Sequence, residues 1–118
     1  MKKVCILCHQ SPLNSPSGRE ALDMALIFAA VEQEVTLIML GSAVLSMKIN
    51  QQPESIGHKD YLSTFKALAL YDVENIIVCK QSLSLFNLTE TNLLPNAKVL
   101  DNEAIQKLLS EQHHTFSF

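Results

Sequence analysis

A three-layer α/β sandwich on a mostly parallel sheet of four or five strands is predicted by two features of this 118-residue chain. Short apolar runs recur that are nearly continuous rather than alternating, the pattern of strands covered on both faces. Helical patterns stand between them, and strand–helix alternation of this kind builds a parallel sheet. The length fits one domain, residues 1–118.

The first run, Val4 to Cys8, meets His9, Gln10 and Pro12 and reads as a buried strand. A loop over Ser11 to Pro16 follows. Ser17 with Glu20 three residues on forms a capping box, so a helix is expected from there to about Val31. From Met24 to Val31 that helix has no polar face. A helix apolar all round is covered on both sides; in so small a domain one cover is the sheet and the other is expected to be another chain.

Val35 to Leu40 is a second buried strand, ended by Gly41, and Ala43, Val44, Leu45 and Met47 suggest a short apolar helical turn. Asn50 to Gly57 reads as a polar loop. A helix is predicted over about Lys59 to Leu70, with Tyr61, Leu62, Phe65, Leu68 and Ala69 on one stripe. Val73 to Cys79, built around Ile76, Ile77 and Val78, is a third strand, and a short helix from Gln81 to Phe86 follows it. Lys98 to Leu100, a helix over about Asn102 to Glu111 and an extended Thr115 to Phe118 complete the chain.

Composition narrows the function. Apolar residues make up 47%, charged residues 18%, and mean hydropathy is +0.14. A quarter charged is usual, so the surface is short of polar cover, as in a chain with buried subunit contacts. Net charge is −3, and Arg19 with eight scattered Lys makes no basic stripe. That argues against direct nucleic-acid binding by this chain alone. The apolar run after Met1-Lys2-Lys3 is too short for a signal peptide, and no stretch reaches membrane-span length. Three cysteines cannot all pair, so reduced thiols in the cytoplasm are expected.

In a parallel α/β sheet, ligand and catalytic groups lie beyond the carboxyl ends of the strands. That rule selects His9 to Ser17, Gly41 onward and Cys79 onward. Cys5 and Cys8 form a C-x-x-C, but inside a strand, where a separation of three sends the side chains to opposite faces. They read as buried small hydrophobes rather than a redox pair. Cys79 ends a strand just before a helix, with Lys80 beside it. A helix start and a nearby cation favour thiolate, so Cys79 is the catalytic candidate, with an ordinary core cysteine as the other reading. The Ser11 to Gly18 loop before a helix suits a phosphate, though it matches neither nucleotide-binding glycine motif. Asp23, Asp60 and Asp72 have no acid/base spacing, and the adjacent His113-His114 lacks the spacing of a helical metal site. No metal or cofactor is expected.

Several stretches resemble the DsrE/DsrF-like sulfurtransferase family, and within it the TusC (DsrF-like) branch. They are Ser17-Gly18-Arg19-Glu20-Ala21-Leu22-Asp23, the long run from Asp60 to Glu74, Val78-Cys79 followed by Ser82-Leu83, and the closing Phe116-Ser117-Phe118. Nearly the whole chain is covered.

The resemblance implies a subunit of a TusBCD-like assembly, a hetero-hexamer with TusB-like and TusD-like chains. Such a complex takes persulfide sulfur from a donor protein and passes it towards 2-thiouridine at the tRNA wobble position. Related subunits serve sulfur oxidation. The main sulfur-carrying cysteine of such complexes belongs to the TusD-like partner, at the position Cys79 holds here. Where relatives often carry Gly after the Ser-Leu pair, this chain has Asn87, the next-best residue for a left-handed helix cap. The expectation is a structural partner, with persulfide carriage through Cys79 as the enzymatic alternative. A flavodoxin-like phosphate-binding module using the Ser11 to Gly18 loop is the alternative of another class.

Overall fold

The computed structural model describes residues 2–9, 16–31, 33–41, 43–44, 70, 73, 75–89 and 97–118. Within them lie β1 (Lys3–Cys8), α1 (Pro16–Ala30), β2 (Glu34–Met39), β3 (Asn75–Cys79), α2 (Lys80–Leu85), β4 (Ala97–Leu100), α3 (Asn102–Ser110) and β5 (His114–Ser117). All five strands are parallel, in the order β4-β3-β2-β1-β5. The predicted α/β class and parallel sheet are therefore observed, with the fifth strand present. The elements fall within two residues of their expected bounds. Leu45, Met47, the Asn50 to Gly57 loop, the Ser11 to Ser15 part of the first loop and the Lys59 to Ala69 helix lie outside the described residues; Leu70 is helical.

One boundary differs in a way that matters. The capping box places Ser17 ahead of α1, whereas α1 begins at Pro16. Proline suits the first helical position, where its fixed φ is already helical and the missing N–H has no partner to lose. Ser17 is therefore inside the helix.

Alternation along each strand sorts the core into two layers. Ile6, Cys8, Leu37, Met39, Ile76 and Val78 point to one face, under Ala21, Leu22 and Ala25 of α1 and Leu83 of α2. Cys5, Ile38, Ile77 and Cys79 point to the other, under Ile105 of α3, with Leu108 and Leu109 partly buried against them. Connections between parallel strands are right-handed. The chain steps from β1 to β2 one way and returns from β4 to β5 the other way, so α1 and α3 fall on opposite faces. The polar face of α3 follows from its sequence: Asp101 caps it by accepting from Ala104 N–H at 2.9 Å, and among its residues only Ile105 is fully buried.

β5 extends the sheet beside β1, with Val4 opposite His114 and Leu7 opposite Ser117. Both ends are clasped. His113 N–H donates to Lys3 O, and Lys3 N–H donates to His113 Nδ1, both at 2.8 Å. Phe118 N–H donates to Leu7 O at 2.9 Å, and His9 N–H to Phe118 O at 3.0 Å. Phe116 stacks on Phe28 of α1, with ring centroids 5.3 Å apart.

Ile27 on α1 and Val31 just past its end are each 59% exposed. Leu85 is 78% exposed, and Phe86 and Phe116 are also open. No helix among the described residues is long and apolar enough to cross a membrane.

Candidate functional site

The carboxyl ends of the strands come together as the sequence rule requires, and β1, β2 and α2 are tied there by main-chain geometry. Leu40 N–H donates to Cys8 O at 2.9 Å. The chain then turns at Gly41, whose φ of +54° is left-handed, into a 3-10 turn with Ala43 and Val44 buried. Gly41 N–H donates to Ser82 Oγ at 2.9 Å, binding the end of β2 to α2. Ser82 is one of two buried polar residues among those described, and this bond uses its hydroxyl.

Cys79 is the last residue of β3 and the residue before α2. Its φ and ψ of −72° and 122° are extended, and its side chain makes no capping bond. Being two residues on from Ile77, it points to the α3 face and is only 4% exposed. Its thiol has two acceptors within reach: Asn102 Oδ1 at 3.4 Å, in the first turn of α3, and Gln81 Oε1 at 3.7 Å, in the first turn of α2. Both predicted locators hold, since Cys79 ends a buried strand and precedes a helix. Lys80 is exposed, and the groups hydrogen-bonded to the sulfur are amides. A half-turn of either amide exchanges its oxygen for an NH2 group, which would present a donor to a sulfur anion. The position therefore holds a thiol between two helix starts, and a partner reaches it only if the cover over Sγ shifts.

The other thiols are placed differently. Cys5 points to the α3 face and Cys8 to the α1 face, as their spacing requires. Burial pushes the Cys5 thiol up from 9.0 to about 11, so it stays protonated at neutral pH. All three cysteines are free. Cys5 and Cys79 share a face but stand on β1 and β3 with β2 between them. Two strand spacings, about 9.6 Å, exceed the reach of a disulfide.

The remaining candidates disperse. Asp23 is exposed on α1, while Asp60 and Asp72 lie outside the described residues, as does most of the Ser11 to Gly18 loop. His113 serves the backbone of Lys3. Among the described residues no group of three His, Cys, Asp or Glu side chains is placed to hold a metal. One pairing escaped the sequence reading: His9 Nε2 and Ser117 Oγ lie 2.9 Å apart where β1 and β5 end. The signal was partial, because His9 follows a strand end while Ser117 is 108 residues away. Asn102 was likewise missed, being 23 residues from Cys79.

A model of the DsrE/DsrF-like family matches residues 2–118. The chain belongs to the DsrE/DsrF-like family. Among curated relatives, a protein of Vibrio vulnificus strain CMCP6 named "Protein TusC homolog" is 34% identical over 118 residues, covering all of both chains. Proteins of the same name from Aliivibrio fischeri and Haemophilus influenzae are each 33% identical. They cover 94% of both chains, and 98% of this chain with 99% of the relative, respectively. In fold, the DsrE/DsrF-like chain matches the ychN protein of E. coli with a TM-score of 0.89 at 17% identity, each covered in full. It matches MTH1491 of Methanobacterium thermoautotrophicum at 0.71 and 11%, again over both whole chains.

Proposed function

We propose that this chain is a subunit of a sulfur-relay complex that passes persulfide sulfur towards 2-thiouridine at the tRNA wobble position, acting chiefly as a structural partner. The observation that carries the reading is end-to-end similarity, at 31–34% identity over the whole chain, to several Vibrio proteins named as TusC homologues. The net charge of −3 suits a component that meets proteins rather than RNA. The exposed Ile27, in the apolar second half of α1, and Val31 just past its end suit a chain covered by neighbours. Its partners in this reading are TusB-like and TusD-like chains in a hetero-hexamer within the cytoplasm, with persulfide donor and acceptor proteins meeting that complex.

Removing the chain from its own source and measuring 2-thiouridine in hydrolysed tRNA tests the function. The modification should fall to background and return with the wild-type chain; undiminished thiolation refutes the role and turns attention to sulfur oxidation. Native mass of the chain purified from that source tests the partners, since a pure homo-oligomer contradicts the mixed assembly.

A second reading makes Cys79 a persulfide carrier, and its place at the carboxyl edge before α2 favours it. Burial of Sγ under α3 favours the structural role instead. Exposure to a persulfide donor followed by mass spectrometry separates them: carriage adds about 32 Da, one sulfur, to a reactive thiolate at Cys79 and not to the Cys79→Ser variant. A flavodoxin-like module would instead release a nucleotide on denaturation.

A further inference from the structure

At the end of the sheet opposite Cys79, where the strands begin, the α3 face opens into a groove of about 150 Å³. Thr36 and Ile77, both buried, belong to its floor, and Glu111 and Gln112, just past the end of α3, to its roof. A water occupies about 30 Å³ in the liquid, so the volume corresponds to about five waters, room for a molecule the size of a small amino acid.

Strand register orders the polar lining. Lys3 of β1 stands opposite Glu34 of β2, a cation beside an anion. Asn75 stands opposite Thr36, which places an amide and a hydroxyl side by side. Lys98 stands opposite Ile77 and so has no counter-charge on the neighbouring strand. Beyond those two neighbours in register, the lining holds one further cation, Lys98, and one further anion, Glu111. The carboxyl end of α3 adds partial negative charge on the Glu111 side. The roof also contains an acceptor in want of a donor: Gln112 Oε1 is buried without a hydrogen-bond partner, while its Nε2 donates to Leu108 O at 3.1 Å.

We propose that this groove binds a small amino acid in its zwitterionic form. The ammonium end lies towards Glu111 and the end of α3, and the carboxylate lies towards Lys98. A ligand of single charge meets one matching and one opposing group, whereas a zwitterion satisfies both. The site is independent of the sulfur-relay reading, because it lies at the other end of the sheet from Cys79 and uses none of the same residues.

Equilibrium dialysis of the full chain, with any partners it retains, against radiolabelled L-serine tests the proposal. Saturable binding in the millimolar range is expected. Lys98→Gln and Glu111→Gln change exposed side chains and should each weaken it about tenfold, the effect of one lost charged contact. Acetate and methylammonium, each carrying half of the charge pattern, should compete poorly. No saturable binding overturns the proposal. So does binding that both variants leave unchanged, or that acetate or methylammonium alone displaces as well as L-serine does.

Discussion

Ser82→Ala removes the hydroxyl that accepts from Gly41 N–H and leaves that part-buried donor without its partner. A buried group stranded in this way costs about 1–3 kcal/mol, more than the net value of an ordinary hydrogen bond. The bond is short, at 2.9 Å, but only part-buried, which puts the expectation near the lower end, about 1–1.5 kcal/mol. For a domain of this size that is a fall in Tm of roughly 3–7 °C. Gly41 gives an independent handle on the same corner. Its φ is +54°, and a Cβ built there would meet His9 O at 3.4 Å, an ordinary contact. The cost of Gly41→Ala is therefore backbone strain rather than collision, about 1–2 kcal/mol, and Gly41→Asn should cost less because Asn tolerates the left-handed region. Urea unfolding of the three variants, read as midpoint shifts at constant slope, measures these costs. The reasoning fails if Ser82→Ala is neutral, or if Asn at position 41 is as damaging as Ala.

Asn87 also has a positive φ, 54°, just after α2, so Asn87→Gly should be neutral or slightly stabilising and Asn87→Ala should cost about 1 kcal/mol in the same urea assay. Asp101→Ala removes the cap of α3 and should cost about 1 kcal/mol, with the amides of Asn102 to Ala104 exchanging faster with solvent. Cys5 holds its proton up to about pH 11 in the folded chain, against 9.0 for an unperturbed thiol. The stability this contributes is fully present below pH 9 and is lost as pH rises from 9 to 11, because only the unfolded chain ionises across that window. Stability measured from pH 8 to 11 should therefore fall less steeply in Cys5→Ala than in the wild type, and parallel curves would contradict the burial argument. Ile105→Ala opens the layer between α3 and the sheet next to Cys79 and should cost about 2–4 kcal/mol, visible as a fall in Tm.

The fold class was legible because its signals are local. Val4 to Cys8, Val35 to Met39 and Ile76 to Cys79 are, but for Thr36, apolar on both faces, the pattern of a covered parallel sheet. Asn87 was legible as a left-handed cap, and the opposite directions of Cys5 and Cys8 followed from the period of a strand. Cys79 was locatable as the junction of a strand and a helix. The start of α1 differs from its sequence signal: the Ser17–Glu20 spacing is a capping signal, but Pro16 is itself a good first helical residue and the helix takes it.

What the sequence could not specify depends on groups far apart along the chain. Nothing within Thr115 to Phe118 says that the last strand returns beside β1 rather than continuing past β4; the direction of that crossover puts α3 on the face of the sheet opposite α1. The same return brings Ser117 to His9, and His113 to the backbone of Lys3. The descent of α3 from β4 places Asn102 against the Cys79 sulfur and Ile105 over it. Local propensity therefore determined which segments are strands and helices and where the carboxyl edge of the sheet lies. Only tertiary packing decided that Asn102, 23 residues on, joins the nearby Gln81 at the Cys79 sulfur and that a charged groove opens at the opposite end, because strand order rather than any local pattern brings β1, β2, β3, β4 and the end of α3 together there.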